Sequence, residues 1–318
     1  MENILSISNL TKSYGEKKVV NNISLNVKKG HIYGLIGPNG AGKTTIMKIL
    51  AGTTMADTGE VSFFGGTDEK SKSRMSFMIE TPYIDKALTA RQNLEYIRYL
   101  RGISDKARID STLELVGLAG TDKKTARHFS LGMKQRLGIA MALISKPEIM
   151  ILDEPVNGLD PEGIVHIRNL LLKLCHEENV TIIISSHLLT ELYELCTDFV
   201  LINDGCIVES LSKEALDEKC STYIAINIET PNIEELITVL EQQLNIREYK
   251  LLSNEELRIY DHIENIGDLS RCITNNGFTL TKLAPGGDSL EEFYLSKIPH
   301  KKESESHITK KFALRRDK

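Results

Sequence analysis

A glycine-rich segment near residue 40 constrains the fold of this chain more than any other feature. Residues Gly37–Thr45 read GPNGAGKTT and match the pattern GxxxxGK[ST]. The apolar run Ile32–Ile36 precedes the segment, and Lys43–Leu50 continues it with apolar residues on one helical face. Between a strand and a helix, such a segment wraps phosphate oxygens with backbone N–H groups, and glycine permits the tight backbone. The segment predicts a phosphate-binding loop in which Lys43 reaches the phosphates and Thr44 ligates Mg²⁺.

Further apolar runs indicate how the sheet is built. Ile149–Leu152 and Val180–Ile184 are short, continuously apolar and followed by polar residues, with helical patterns between them. Buried strands separated by helices are typical of an α/β fold with a mainly parallel core sheet covered on both faces. Ile4–Ser8 and Ile23–Val27 instead alternate apolar and polar residues, which favours an antiparallel edge sheet.

The pattern also divides the chain into regions. We expect a nucleotide-binding domain over residues 1–210, with an inserted helical subdomain at about 81–146, where the strand signal disappears. Residues 211–297 follow the order βαββαβ and predict a small α+β domain, possibly ferredoxin-like. Residues 298–318 are basic and polar without apolar periodicity, which favours a disordered tail. Weak contact of this tail with anionic lipid headgroups is the alternative.

Composition excludes several classes of protein. With 318 residues, of which 41% are hydrophobic, the chain has enough apolar side chains for packed cores. A net charge of −5, 6% aromatic residues and no Trp argue against a nucleic-acid partner. No apolar run approaches the roughly 18 residues that a membrane-spanning helix requires. The five cysteines form no CxxC pair, so we expect reduced thiols and no zinc site.

Two carboxylates follow the apolar run at residue 149. Asp153 stands at the carboxyl end of this predicted strand and can hold Mg²⁺ through water, while Glu154 is placed to polarise an attacking water. Strands often end in acidic residues, so this pair alone is a weak signal.

Four more segments decide the interpretation, because they lie in the order and spacing of one family. Phe129–Arg136 (FSLGMKQR) resembles the signature sequence of ABC ATPases, and Asn157–Asp160 resembles their D-loop. His187, after Ser185 and Ser186, resembles the switch histidine, and Tyr14 stands where the family stacks adenine on an aromatic ring. Residues 2 to about 210 therefore resemble the nucleotide-binding subunit of an ABC transporter.

The resemblance implies an ATPase with ATP and Mg²⁺ as cofactors. Two copies would pair head to tail, with ATP between Lys43 of one copy and Ser130 and Gly132 of the other. Glu154 would be the general base, and His187 would hold the γ-phosphate and the attacking water. The implied nucleotide contacts are Tyr14, Asn39, Gly40, Gly42, Lys43, Thr44, Thr45, Ser130, Gly132 and Asp160, and the implied metal contacts are Thr44, Glu80 and Asp153.

Two departures from the family pattern narrow the resemblance. The signature reads SLGMKQ, and Glu80 stands where the family usually has Gln, which adds a negative charge and removes amide donors. Both features resemble the ATPase subunits of bacitracin-resistance and lantibiotic self-protection exporters, whose appended C-terminal domain would fit residues 211–297. This branch implies an export motor at the cytoplasmic face of the cell membrane, bound to permease subunits through the helical subdomain.

Three other functions compete with the exporter. A nucleotide-dependent regulatory switch without a transport role is the main alternative. A soluble ABC ATPase acting on ribosomes or DNA is disfavoured by the single phosphate loop and the absence of heptads. A small-molecule kinase would leave Ser130–Arg136 and His187 without a use.

Overall fold

The computed structural model describes residues 2–67, 69–220, 222–229, 233–253, 256–261, 265–287 and 290–297. These residues form three β-sheets and the helices that pack against them. The predicted disordered tail, residues 298–318, lies outside the described residues.

The central sheet has six strands and carries the phosphate loop. Its spatial order is β5-β6-β7-β3-β8-β9, parallel throughout except for β9, which pairs antiparallel with β8. This confirms the predicted mainly parallel core. The strands are β3 (Ile32–Ile36), β5 (Met75–Met78), β6 (Ile149–Asp153), β7 (Thr181–Ser185), β8 (Asp198–Asn203) and β9 (Cys206–Ser212).

The second sheet is antiparallel, as the alternating N-terminal pattern predicted. It contains β1 (Asn3–Tyr14), β2 (Lys17–Lys28) and β4 (Thr58–Phe63) in the order β2-β1-β4. Alternate residues of the central strands point to opposite sides. Tyr33 and Leu35 join the apolar cluster under this edge sheet, whereas Ile32 and Ile36 join the cluster under the helices on the other side. Central strands covered in this way are buried on both faces, which explains their continuous apolar runs.

Helices connect the strands, and three of them lie between β5 and β6 in the region predicted to be helical. Side-chain caps mark where the helices begin: Thr89 forms a capping box with Gln92, and Ser130 and Asp160 cap the next two long helices. The helices of this part are α1 (Lys43–Leu50), α2 (Glu69–Ser73), α3 (Ala90–Leu100), α4 (Ala107–Leu115), α5 (Leu131–Leu143), α6 (Pro161–His176), α7 (Leu189–Leu195) and α8 (Lys213–Lys219), with a 3₁₀ turn at Ala126–His128.

The third sheet is formed after residue 220 and has its own apolar core, which includes Leu236, Leu257 and Ile273. Its four antiparallel strands have the order β11-β12-β10-β13. This is the βαββαβ succession that the sequence predicts. The two central strands, β10 and β12, are the first and third strands of this succession. The elements are β10 (Thr222–Ile228), α9 (Ile233–Leu244), β11 (Tyr249–Leu251), β12 (Glu256–Ile259), α10 (Ile266–Asn275) and β13 (Leu280–Gly287).

The last described helix, α11 (Leu290–Lys297), returns to the first part of the chain. Leu290, Phe293 and Tyr294 are buried in the cluster that contains Leu192 of α7. The apolar face of α11 is therefore covered by the α/β core, and α11 connects the C-terminal sheet to α7. The domain boundaries at residues 210 and 297 and the limits of the helical subdomain stay predictions.

Candidate functional site

The glycine-rich loop connects the carboxyl end of β3 to the N-terminus of α1, as predicted. Gly40 and Gly42 have φ angles of 84° and 109°, in the region that favours glycine. A Cβ atom on Gly42 would lie 2.5 Å from the carbonyl oxygen of Val19. The loop therefore depends on glycine at position 42 for both its backbone conformation and its close packing on β2.

Lys43 is buried and lies inside the loop. Its Nζ donates to the carbonyl oxygens of Gly37, at 2.7 Å, and Pro38, at 3.3 Å. Burial lowers the pKa of Lys43, and the charges of Glu154 and Asp153 oppose this shift. The ammonium group is thus held by neutral carbonyls, which an anionic phosphate can replace with a charge-assisted contact.

Asp153 joins three segments at the carboxyl edge of the central sheet. Thr44 Oγ1 donates to Asp153 Oδ2 at 2.9 Å, and Ser185 Oγ donates to Asp153 Oδ1 at 2.6 Å. Register explains the second bond, because Asp153 and Ser185 are direct partners in the parallel β6–β7 ladder. Ser185 was not among the predicted site residues, although a hydroxyl at the end of the strand neighbouring an acidic strand end is a usable signal.

Glu154 and His187, the two predicted catalytic residues, are in contact. His187 Nδ1 lies 2.7 Å from Glu154 Oε2. Glu154 has a φ of 50°, uncommon for a residue other than glycine. Its backbone N–H donates to Ser185 Oγ at 3.0 Å, so the same hydroxyl bonds both acidic residues of this strand end.

A cavity of about 190 Å³ lies over the loop and is lined by most of the predicted nucleotide contacts. Val19 of β2 also lines it and was not predicted. Tyr14 does not line this cavity, and its side chain is half exposed at the end of β1. The lining residues are Val19, Asn39, Gly40, Gly42, Lys43, Thr44, Thr45 and Glu154.

Ser130, Gly132 and Asp160 lie apart from the residues that line this cavity. Ser130 Oγ accepts from the N–H of Met133 at 3.2 Å, and Asp160 Oδ1 accepts from the N–H of Gly163 at 3.1 Å. Both side chains cap helix N-termini, and a Cβ on Gly132 would be 3.8 Å from Leu159, beside Asp160. The structure thus places the signature and D-loop residues in a second group.

Glu80 forms an ion pair that was not predicted. Its Oε1 accepts from Lys48 Nζ at 2.6 Å, and this bond raises the pKa of Lys48. Lys48 lies one helical turn after Thr44 on the same face of α1. The pair is largely exposed, so it contributes little to stability, but it neutralises the charge that distinguishes Glu from the family's usual Gln.

The oxygen donors of this site fit a magnesium ion. Mg²⁺ prefers oxygen ligands and is usually held by one or two protein groups together with waters and substrate phosphates. The Thr44 hydroxyl and the Asp153 carboxylate are adjacent at 2.9 Å, at the N-terminus of α1 beside the loop. Glu80 as a third metal contact stays a prediction, as do the roles of the individual site residues.

Known proteins resemble this chain along most of its length. The family model for ABC transporters matches residues 20–157. The bacitracin transport ATP-binding protein BcrA of Bacillus licheniformis is 39% identical over 302 residues, covering 94% of this chain and 98% of that protein. The lantibiotic transport ATP-binding protein SrtF of Streptococcus pyogenes is 44% identical over 212 residues, covering 66% and 91%.

Solved structures of ABC transporter ATP-binding subunits share the fold of this chain. The structure of an ATP-binding subunit of an ABC transporter superimposes with a TM-score of 0.61 at 26% identity, covering 68% of this chain and 92% of that one. No helix in the described part of the chain is both long and apolar enough to cross a bilayer. Since the similarity to BcrA spans nearly all of both proteins, this chain belongs to the ATP-binding subunits of ABC transporters and is an ATPase, as the resemblance implied.

Proposed function

We propose that this chain is the motor of an exporter for peptide antibiotics of the bacitracin or lantibiotic type. The observation that carries the proposal is the 39% identity, over almost the whole of both chains, with a protein named for bacitracin transport. The lantibiotic transport protein of Streptococcus pyogenes supports the same cargo class. In this proposal the chain works at the cytoplasmic face of the membrane, and separate permease subunits carry the cargo.

ATP binds with its phosphates in the loop around Gly40 and Gly42. Backbone N–H groups and the N-terminus of α1 provide the anion site, and Lys43 exchanges its carbonyl partners for phosphate oxygens. Thr44 and Asp153 would hold Mg²⁺, which supplies charge neutralisation for the phosphates when bound. Ser185 fixes the Asp153 carboxylate from the opposite side, so that it stays oriented toward Thr44.

Glu154 accepts the proton of the attacking water, and His187 positions that water. Their contact at 2.7 Å holds the carboxylate at the edge of the cavity that Glu154 itself lines. General base catalysis requires such a carboxylate within hydrogen-bond reach of the water. The left-handed backbone of Glu154 and its N–H bond to Ser185 aim the side chain into the site.

A second copy of the chain completes each site. The exposed N-terminus of α5 carries Ser130 and lies outside the lining of the phosphate cavity in its own chain. A helix N-terminus with a serine cap attracts anions. Head-to-tail pairing brings this N-terminus to the γ-phosphate bound by the partner, and hydrolysis then removes the group that bridges the two copies.

The helical segment offers a surface for the permease subunits. Tyr83 is 86% exposed, and Tyr96, Tyr99 and Leu100 on α3 are each more than half exposed. Exposed clusters of large apolar side chains mark interaction sites, and aromatic residues are enriched in the cores of protein interfaces. This surface lies close in sequence to Glu80, so movement of that segment on ATP binding can reach the permease.

Glu154→Gln tests the role of the general base. The variant retains the shape of the site and ATP binding, but ATP hydrolysis falls by about 10²–10⁴-fold because the amide cannot accept the proton. We expect closed dimers to accumulate with ATP, measured by size-exclusion chromatography beside steady-state ATPase assays. Glu162→Gln, an exposed acid in the first turn of α6, is the matched control. Wild-type turnover in Glu154→Gln would remove Glu154 from this role.

Ser185→Ala tests the hydroxyl that joins both acidic residues. Its loss removes one bond to Asp153 and one from the N–H of Glu154, so we expect kcat to fall about tenfold, which corresponds to about 1.4 kcal/mol. Ser111→Ala, an exposed serine on α4, is the matched substitution and should leave the rate unchanged. An equal rate in both variants would show that Asp153 and Glu154 are oriented without Ser185.

The double variant Tyr83→Ala/Tyr96→Ala tests permease docking. We expect affinity purification from detergent-solubilised membranes to lose the multi-span partners, while basal ATP hydrolysis stays within about twofold, because interface aromatics carry a large share of binding energy. Met55→Ala removes an equally exposed apolar side chain elsewhere and should keep the partners. Wild-type chain that purifies with no membrane protein would instead favour a regulatory switch.

A further inference from the structure

A second cavity, of about 740 Å³, lies where the C-terminal part of the chain meets the ATPase core. It is bounded by the segment that starts at His187, the end of α8, the adjoining ends of β10 and β13, and the start of α11. Leu188, Leu189 and Leu290 contribute apolar side chains to its wall. His187 therefore faces both this cavity and, through its 2.7 Å contact, the Glu154 carboxylate.

The lining of this cavity is strongly acidic. Glu191, Glu194, Asp217 and Glu291 line it, and among the described lining residues His187 is the one side chain that can carry positive charge. Glu191 pairs with Arg168 at 3.1 Å. Asp217 accepts a hydrogen bond from the Tyr193 hydroxyl at 2.6 Å. Apart from the Glu191–Arg168 bridge, no ion pair joins these four acids to a base among the described residues, so the cavity favours a cationic, partly apolar occupant.

The sequence of the chain itself contains such an occupant. Residues Lys310–Arg316 read KKFALRR, with two bases on each side of Phe312 and Leu314. Its four positive charges suit a cavity lined by four carboxylates, of which only Glu191 forms an ion pair among the described residues, and the two apolar side chains match the leucine-rich wall. Charge complementarity of this kind favours one orientation and one partner over others.

The attachment of this segment keeps it within reach. α11 begins at the cavity with Leu290 and Glu291 and spans only about 12 Å. Lys297, at its end, pairs at 3.3 Å with Glu209, which also binds Lys219 of α8, the helix that carries Asp217. The twelve residues 298–309 can extend to about 40 Å, which is more than enough to return to the cavity.

We propose that Lys310–Arg316 binds in this acidic cavity and restrains ATP hydrolysis by holding the segment that begins at His187. The regulatory half of the proposal rests on the proposed function of Glu154 and His187; the docking half does not. A bound segment contacts Leu188 and Leu189 and stabilises the position that His187 has in this structure. ATP-driven rearrangement of His187 then requires release of the segment.

Tethering makes weak binding sufficient. A tethered segment experiences an effective concentration of about 1 mM, so an intrinsic dissociation constant of about 0.5 mM fills roughly two thirds of the cavities. If the docked state is inactive, removing the segment raises ATP turnover about threefold.

Cross-linking tests docking independently of catalysis. The Cys220 thiol lines the cavity, so a short bismaleimide should join it within one chain to Ala313→Cys. Peptide mass spectrometry should find this link in the full-length protein at low salt. The link should disappear with Cys220→Ser, with the four tail bases changed to Glu, and at high ionic strength, where charge pairs are screened. A link that persists with the four glutamates would overturn the docking proposal.

ATPase rates test the regulation. Chain ending at residue 300 and the double variant Glu194→Lys/Glu291→Lys should each hydrolyse ATP about threefold faster than the full-length protein, whereas Glu178→Lys, an exposed acid outside the cavity, should not. Unchanged rates with an intact cross-link would overturn the regulatory half. Tail-dependent binding to phosphatidylglycerol vesicles without any Cys220 cross-link would assign the segment to lipid instead. Hydrolysis that survives Glu154→Gln would remove Glu154 from the role of general base, on which the regulatory half rests, and leave the cross-link result standing.

Discussion

The Asp153 carboxylate is the group on which the rest of the site depends. It is almost completely buried and accepts hydrogen bonds from the hydroxyls of Thr44 and Ser185. A buried charge of this kind is tolerated only with such partners, because its desolvation is costly. The three residues belong to α1, β6 and β7, so one carboxylate fixes the phosphate loop against two strand ends.

This arrangement follows from parallel sheet topology. The carboxyl ends of parallel strands meet at one edge, and loops at that edge bind ligands where the strand order reverses. The order β6-β7-β3 places the loop after β3 beside the residues that follow β7 and next to the acids that end β6. The short distance between Asp153 and Ser185 therefore comes from the register of the β6–β7 ladder, and the strand order brings Thr44 at the start of α1 to the same edge.

The sequence predicted strands, helices and the phosphate loop, because short runs of residues determine these elements. The run Ile32–Ile36 and the glycine loop were predicted correctly, because burial on both faces requires continuous apolar residues and the φ angles of Gly40 and Gly42 favour glycine. The βαββαβ succession was also predicted correctly, because alternation of apolar residues marks its strands and helical periodicity marks its helices. The Lys48–Glu80 pair joins segments that are distant in sequence, so no local pattern indicated it. The Ser185–Asp153 bond depends on which two strands are neighbours, which the strand ends suggest only once the sheet order is known.

The packing of α11 is a further contact between distant segments that the local sequence did not indicate. The local sequence does not indicate whether Phe293 and Tyr294 pack on the C-terminal sheet or on the ATPase core, and the structure places them on the core. By packing on the core beside α7, α11 brings the C-terminal part of the chain close to His187. A change in the position of the C-terminal sheet can thus reach the segment at His187 through one helix.

The central claim is that each ATP site is shared between two copies of the chain. Lys43→Ala and Ser130→Arg should each abolish hydrolysis when purified alone. Mixing equal amounts should restore about one quarter of the wild-type rate, because half of the dimers are mixed and each has one intact site. Recovery of this size in a steady-state ATPase assay would support the account. No recovery, with mixed dimers demonstrated by differently tagged copies, would contradict it.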